Sequence, residues 1–215
     1  MSLAILASGN GSNLQALLDA SARREIPEVS LVIANLPCPA LERARSASVP
    51  VRLIPHQEYA SREAFDRALL EAVRGAGADL ICLAGFMRLL TPALLTPFQG
   101  RVLNIHPSLL PAFPGLHAQR QALAAGVRVA GCSVHFVDAG TDTGAIIAQA
   151  AVPVLAGDTE ESLSERILAQ EHRIYPAAVG WVSRGSVRLE GGRAVATGEL
   201  WPPSSAAGAL TSPPS

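Results

Sequence analysis

Apolar positions follow two rhythms that alternate along the chain. Short unbroken runs at Leu3-Ala4-Ile5-Leu6-Ala7, Val29-Ser30-Leu31-Val32-Ile33, Val51-Arg52-Leu53-Ile54, Asp79-Leu80-Ile81-Cys82-Leu83-Ala84 and Arg101-Val102-Leu103-Asn104-Ile105 read as strands. The fourth is apolar without a break, as expected of a central parallel strand buried on both faces. Between the runs, apolar residues recur at helical spacing: Leu14, Leu17 and Leu18; Ala40 to Ala47; and Phe65, Ala68, Leu69, Ala72 and Val73 behind a Ser61 cap. A helix over His117 to Ala125 and strands over Val129 to Val137 and Ala145 to Val154 follow. Asp158 or Thr159, with Glu161 behind it, opens a last helix carrying Leu163, Ile167, Ile174 and Ala178 inward, and Tyr175-Pro176 is expected to kink or restart it. Val187-Arg188-Leu189 and Arg193-Ala194-Val195 flank Glu190-Gly191-Gly192 as a hairpin. Strands alternating with helices predict an α/β fold with a mostly parallel twisted sheet and helices on both faces.

Composition narrows this picture. The chain has 215 residues, 49% of them hydrophobic and 16% charged, enough for one globular domain with a substantial core. Seventeen basic residues against 18 acidic ones leave a net charge of −1, with no general attraction to nucleic acid or an anionic membrane. Small molecules are the expected partners. Cys38, Cys82 and Cys132 are odd in number and form no Cys-x-x-Cys pattern, which points to a reducing compartment and away from a thiolate metal site. No apolar run reaches the roughly 20 residues of a membrane helix, so a cytoplasmic protein is expected. From Pro202 the composition turns to Pro, Ser, Ala and Gly. The division is therefore a domain over 1–201 and a disordered tail over 202–215.

Candidate chemistry gathers at strand ends. Ser8-Gly9-Asn10-Gly11-Ser12-Asn13 turns the first strand into the first helix, where Ser12 or Asn13 can cap and free N–H groups face the loop. Such a loop suits a phosphate. It lacks the Gly-x-Gly-x-x-Gly signature, because position 14 is Leu, and no Gly-Lys-Ser/Thr follows, so a mononucleotide fits better than a dinucleotide. At the end of the fifth strand, Asn104 and His106 stand two residues apart on one face, and Pro107 stops the ladder. Ligands of open α/β sheets bind at such carboxyl ends. Gly85 to Leu90 follows the fourth strand to the same edge, although Met87 and the leucines read individually as core. His135, inside a strand, reads as a satisfied structural histidine. Asp142, in the loop Asp138-Ala139-Gly140-Thr141-Asp142-Thr143-Gly144, reads by itself as turn chemistry, and meets His106 only if the loop folds back over the sheet edge.

Four motifs taken together are similar to one family. Ser8-Gly9-Asn10-Gly11-Ser12-Asn13-Leu14, Leu83-Ala84-Gly85-Phe86-Met87-Arg88, Leu103-Asn104-Ile105-His106-Pro107-Ser108-Leu109-Leu110-Pro111 and Asp142-x-Gly144-x-Ile146 resemble the phosphoribosylglycinamide formyltransferases in order and spacing, and the likeness runs from about Leu3 to Trp201. The resemblance implies a Rossmann-like formyltransferase fold and transfer of a formyl group from 10-formyltetrahydrofolate, as co-substrate, to the amine of glycinamide ribonucleotide. It implies Asn104, His106 and Asp142 as the catalytic trio, and Gly11, Ser12 and Asn13 as the phosphate site. Glu171 is implied at the sugar or amine. Arg62, Met87, Arg88, Leu89, Leu90 and Asn104 are implied on the folate side, with Val137, Asp138, Ala139, Gly140 and Thr141 as a further wall. Leu168 departs from the resemblance, because relatives often carry a polar residue there near the phosphate. No metal is implied, and the protein is expected as a monomer or homodimer.

The Asn-x-His and Asp elements are shared with formyl-folate hydrolases and methionyl-tRNA formyltransferases, so they point to formyl chemistry without fixing the acceptor. The glycine loop favours a small phosphorylated acceptor, and the chain has no basic patch to hold tRNA. A nonenzymatic nucleotide-binding module would account for Gly9 and Gly11 but leave Asn104, His106 and Asp142 without a purpose.

Overall fold

In a computed structural model, residues 1–197 and 210–212 are described, the last three by backbone alone. The chain divides into two compact units, Met1–Asn104 and Ile105–Ser215.

The first unit contains β1 (Ser2–Ala7), α1 (Ser12–Ala22), β2 (Glu28–Ala34), α2 (Pro39–Ser46), β3 (Val51–Leu53), α3 (Arg62–Gly75), β4 (Leu80–Ala84) and α4 (Pro92–Leu95), and reaches into β5 (Val102–His106). Its strands are all parallel, in the order β3-β2-β1-β4-β5. β1 and β4 are buried at every position but Ser2, as their unbroken apolar runs require. Because the chain moves outward from β1 to β2 and β3 and then returns to β4 on the other side of β1, the order reverses between β1 and β4. Open α/β sheets bind ligands at such a reversal, outside the strands' carboxyl ends.

The second unit contains α5 (Ala118–Ala124), β6 (Val129–Phe136), β7 (Ile146–Pro153), α6 (Glu160–Ser183), β8 (Val187–Glu190), β9 (Arg193–Ala196) and β10 (Leu210–Ser212). β6, β7 and β10 pair antiparallel, and β8 with β9 forms the expected hairpin. Of the tail expected to be disordered, residues 210–212 form β10, and the rest lies outside the described residues.

The fold class is α/β with a mostly parallel sheet, as the alternating rhythms predict. Two local expectations are corrected. Of the kink or restart expected at Tyr175-Pro176, the restart does not occur: the last helix runs unbroken from Glu160 to Ser183 with Pro176 inside it. Ile174, Tyr175, Pro176 and Ala178 are buried, and α6 packs on β6 and β7, so tertiary burial outweighs the roughly 3 kcal/mol that an interior proline costs. At its start Thr159 is the N-cap in a capping box with Ser162, while Asp158 forms a two-pronged pair with Arg166. At α1, neither Ser12 nor Asn13 caps: Gly11 is the N-cap, at φ 78°. A Cβ on Gly11 would stand 2.9 Å from the Cα and Cβ of Ala40, so position 11 is closed to side chains twice over.

Candidate active site

In the second unit the expected pair forms. The loop after β6 folds back so that Asp142 Oδ2 lies 3.3 Å from His106 Nδ1. His106 is 5% exposed, and its Nε2 is 2.9 Å from the carbonyl of Phe113. A carbonyl only accepts, so Nε2 carries a proton in this contact; a second proton on Nδ1 would point at the Asp142 carboxylate. Both partners of His106 sit at left-handed backbone positions, Phe113 at φ 53° and Asp142 at φ 54°. Asp tolerates that region through local hydrogen bonds, whereas for Phe it is a strained conformation.

Asp142 has a second imidazole that the sequence reading assigned to structure alone. His135 Nε2 is 3.6 Å from Asp142 Oδ1, and its Nδ1 is 2.8 Å from the Phe136 carbonyl. The amide of Gly115 donates to Asp142 Oδ2 at 2.8 Å. Burial pushes the Asp142 carboxyl upward, but the hydrogen bonds from His135 and Gly115 and the charges of the two imidazoles outweigh it and hold it below its ordinary value. The loop closes tightly. A Cβ on Gly144 would stand 1.7 Å from the Phe136 carbonyl oxygen, and Asp138 Oδ1 accepts from Gly140 N and Thr143 Oγ1, shaping the exposed wall Asp138 to Thr141, with Val137 half-buried at its root.

The loop after His106 is fixed by groups that no motif in the chain singles out. Ser133 Oγ donates to the Ser108 carbonyl at 2.7 Å and accepts from Leu110 N at 3.0 Å. Gln149 Nε2 donates to the Leu110 carbonyl and to Ser133 Oγ. β6 and β7 thus present a polar clamp to Ser108-Leu109-Leu110. Glu171, on α6, is 5% exposed, and its charge, after burial itself, is among the causes that raise the thiol of Cys132. Leu168 is half-buried on the same helix.

In the first unit, the ends of β1 and β4 are joined by a polar chain. Met87 N donates to Ser8 Oγ at 3.1 Å, Ser8 Oγ donates to Asn35 Oδ1 at 2.6 Å, and Asn35 Nδ2 lies 3.1 Å from His56 Nδ1. The glycine loop and the segment after β4 therefore meet where the strand order reverses. That segment alternates. Phe86 is buried and stacks on Phe65, and Leu90 is buried, but Met87 is 65% and Leu89 48% exposed, which corrects the reading of both as core. Arg88 is half-buried, and exposed Arg62 opens α3 behind its Ser61 cap. Asp66, 1% exposed on α3, accepts from Thr91 N and so ties down the segment's end. Gly11, Ser12 and Asn13 stand at the N-terminus of α1, where the positive end of the helix dipole favours an anion. Asn104, half-buried opposite Leu83 of β4, is two residues before His106 on β5.

Among the described residues, no group of three or more His, Cys, Asp or Glu is placed to hold a metal ion, and no helix is long and apolar enough to cross a membrane. Cys38, Cys82 and Cys132 are free thiols, the last two buried. Chemically, the second unit offers a buried imidazole between a carboxylate and a carbonyl, suited to proton transfer. The first offers an anion loop beside exposed apolar side chains, suited to a phosphorylated ligand and a flat ring.

A family model described as Formyl transferase matches residues 1–179. Phosphoribosylglycinamide formyltransferase of Escherichia coli is 43% identical over 205 residues, covering 94% of this chain and 97% of that protein. The trifunctional purine biosynthetic protein adenosine-3 of Drosophila melanogaster is 52% identical over 87% of this chain, which spans only 14% of that longer protein. Among solved structures, glycinamide ribonucleotide transformylase 1 from Symbiobacterium toebii superposes with a TM-score of 0.89 at 55% identity, covering 91% of this chain and 93% of that one.

Proposed function

The chain belongs to the formyl transferase family, and from that premise we propose that it is a folate-dependent phosphoribosylglycinamide formyltransferase of purine biosynthesis. It moves the formyl group of 10-formyltetrahydrofolate to the amine of glycinamide ribonucleotide. The observation that carries the catalytic reading is the approach of Asp142 to His106 at 3.3 Å, because it pairs a proton-transfer group with a charge that orients it.

The amine nitrogen of the ribonucleotide attacks the formyl carbon, and the carbonyl oxygen takes up negative charge. Asn104 donates to that oxygen, and so does protonated His106, whose Nε2–H leaves the Phe113 carbonyl to do so while Nδ1–H stays on Asp142; each such donor contributes about 2.7–4 kcal/mol in comparable sites. The intermediate then gives up the proton of its new ammonium and breaks its bond to the folate nitrogen, which must be protonated as it leaves. His106, held by Asp142 and able to work through a bound water, runs that relay. His135 and the Gly115 amide keep Asp142 ionised for the purpose.

Gly11, Ser12 and Asn13 receive the phosphate, and Glu171 the sugar or amine. Arg62, Met87, Arg88, Leu89 and Leu90, with the wall Val137 to Thr141, take the folate; the exposure of Met87 and Leu89 supports this, since apolar side chains left open at a strand end suit a flat ring. The chemistry needs no metal. A net charge of −1 supports small-molecule partners rather than nucleic acid, and three free thiols support a cytoplasmic setting. A monomer or homodimer completes the reading.

The deciding experiment incubates the protein with 10-formyltetrahydrofolate, with and without glycinamide ribonucleotide, and follows tetrahydrofolate release. Release that depends on the ribonucleotide, with the formylated product appearing in equal amount, is expected. Equal release without it would make the protein a hydrolase, and release only with another acceptor would make it a different formyltransferase.

A further inference from the structure

Two successive peptide groups of the glycine loop are gripped from outside the loop, both by α2. The Gly9 carbonyl accepts from Ala40 N at 3.2 Å, and the Asn10 carbonyl accepts from Arg43 Nε at 2.8 Å. In a planar trans peptide the N–H points opposite to the carbonyl. With both carbonyls turned toward α2, the N–H groups of Asn10 and Gly11 are turned the other way. Successive N–H groups aimed alike make a concavity for an anion. The side chain of Arg43 adds a second restraint: a Cβ on Gly11 would come within 3.2 Å of Arg43 Cδ, so the arginine stem lies along the bare α-carbon of Gly11.

We propose that Arg43 is a positioning residue for phosphate recognition, its Nε–H locking the Asn10–Gly11 peptide in the orientation that receives a phosphate monoester. The role belongs to the donor at Nε rather than to the charge of the guanidinium. This inference rests on the reading of Gly11 to Asn13 as the phosphate site. A loop held in its binding orientation before the ligand arrives loses less entropy on binding, so the effect falls on affinity for the phosphorylated substrate and not on the chemical step.

Three substitutions separate donor from charge. In Arg43→Gln the amide nitrogen is bonded to Cδ, where Nε stood, so the donor stays and the charge goes. Arg43→Lys keeps the charge but has a methylene at that place, and Arg43→Met has neither charge nor donor there. The readouts are KM and kcat for glycinamide ribonucleotide, KM for 10-formyltetrahydrofolate, and competitive inhibition by ribose 5-phosphate, with thermal unfolding alongside. Arg43→Met and Arg43→Lys should raise the ribonucleotide KM and the ribose 5-phosphate Ki together by about fivefold to tenfold, the size expected of one lost hydrogen bond. Their kcat and folate KM should hold, and Arg43→Gln should recover most of the affinity. Unchanged ribonucleotide KM in Arg43→Met, or Arg43→Gln as weak as Arg43→Met while Arg43→Lys is normal, would overturn the proposal, the second result assigning the effect to charge. If the parent protein binds ribose 5-phosphate no better than ribose, the phosphate reading of the loop fails first and the role of Arg43 falls with it.

Discussion

Asp142 bridges His106 and His135 with its two carboxylate oxygens, Oδ2 standing 3.3 Å from His106 Nδ1 and Oδ1 standing 3.6 Å from His135 Nε2. One negative charge therefore serves two imidazoles inside the second unit. Its carboxyl is held below the ordinary value even though burial opposes this, so the folded protein favours the ionised form. The stabilisation this gives is present above the carboxyl's unfolded pKa and is lost as pH falls through the depressed folded value.

Asp142→Asn should lower kcat by about a hundredfold or more, the scale of a lost proton-transfer arrangement. It should also be less stable than the parent at neutral pH, with the gap closing as the medium is acidified through the carboxylate range. Urea unfolding at several pH values reads the second effect. A gap that persists unchanged into strong acid would mean that the asparagine disturbs the loop rather than the charge.

Ser133→Ala strips the donor and acceptor that tie Ser108 and Leu110 to β6. A buried amide and carbonyl then lose partners, at about 1–3 kcal/mol. Chemical denaturation should show that loss, and kcat should fall because His106 heads the loosened segment. Wild-type stability in this variant would show that the clamp is dispensable.

Gly144→Ala places a carbon 1.7 Å from the Phe136 carbonyl oxygen, an approach that backbone must yield to relieve. A cost of about 1–3 kcal/mol is expected. Activity should drop further than stability, since the displaced backbone carries Asp142. Comparing kcat with the unfolding midpoint tests this: a variant as active as the parent would show that the loop reaches His106 without the tight closure.

Asp66 makes the opposite electrostatic case. Burial raises its carboxyl, against the opposing pull of the Thr91 hydrogen bonds and Arg62, so the folded state favours the protonated acid. Stability from this group is greatest below its unfolded pKa and declines as pH rises through the folded one. Asp66→Asn keeps an acceptor for Thr91 N and should match or exceed the parent at neutral pH, its advantage shrinking as pH is lowered toward 4. Asp66→Ala leaves that amide without its carboxylate and should lose about 1–3 kcal/mol. Equal stability of the two variants in thermal melts would remove the hydrogen bond from the account.

The strands and helices of the first unit were legible because a buried parallel strand and an amphipathic helix impose different apolar periods. His106 and Asp142 were legible through their motifs, although their meeting required a loop that folds back, shaped by the close packing of Gly144 on Phe136 and by hydrogen bonds to Asp138 and Asp142. His135, Ser133 and Gln149 carried no such signal. Each lies in a β-strand whose burial hides it among apolar neighbours, and their value comes from what stands opposite them, which no local pattern records. Strand alternation put His135 and Ser133 on one face of β6, a faint clue available beforehand. Gly11 displaced Ser12 as the N-cap because the close approach of Ala40 and a left-handed backbone outweighed a hydroxyl's capping preference. Pro176 does not restart α6 because breaking power is a local property, whereas α6 is held by its packing on two strands.

Phe113 stands at φ 53° with its carbonyl on His106 Nε2. Replacing it by glycine or asparagine would ease a backbone strain of about 1–3 kcal/mol, as relief of such strained positions commonly does. Both replacements keep the main-chain carbonyl at position 113 and lower the cost of the backbone rotation that aims it at the catalytic imidazole. Durability can therefore be sought at residue 113 without giving up the contact that holds His106, because robustness and the aim of the imidazole ask for the same bond rotation there.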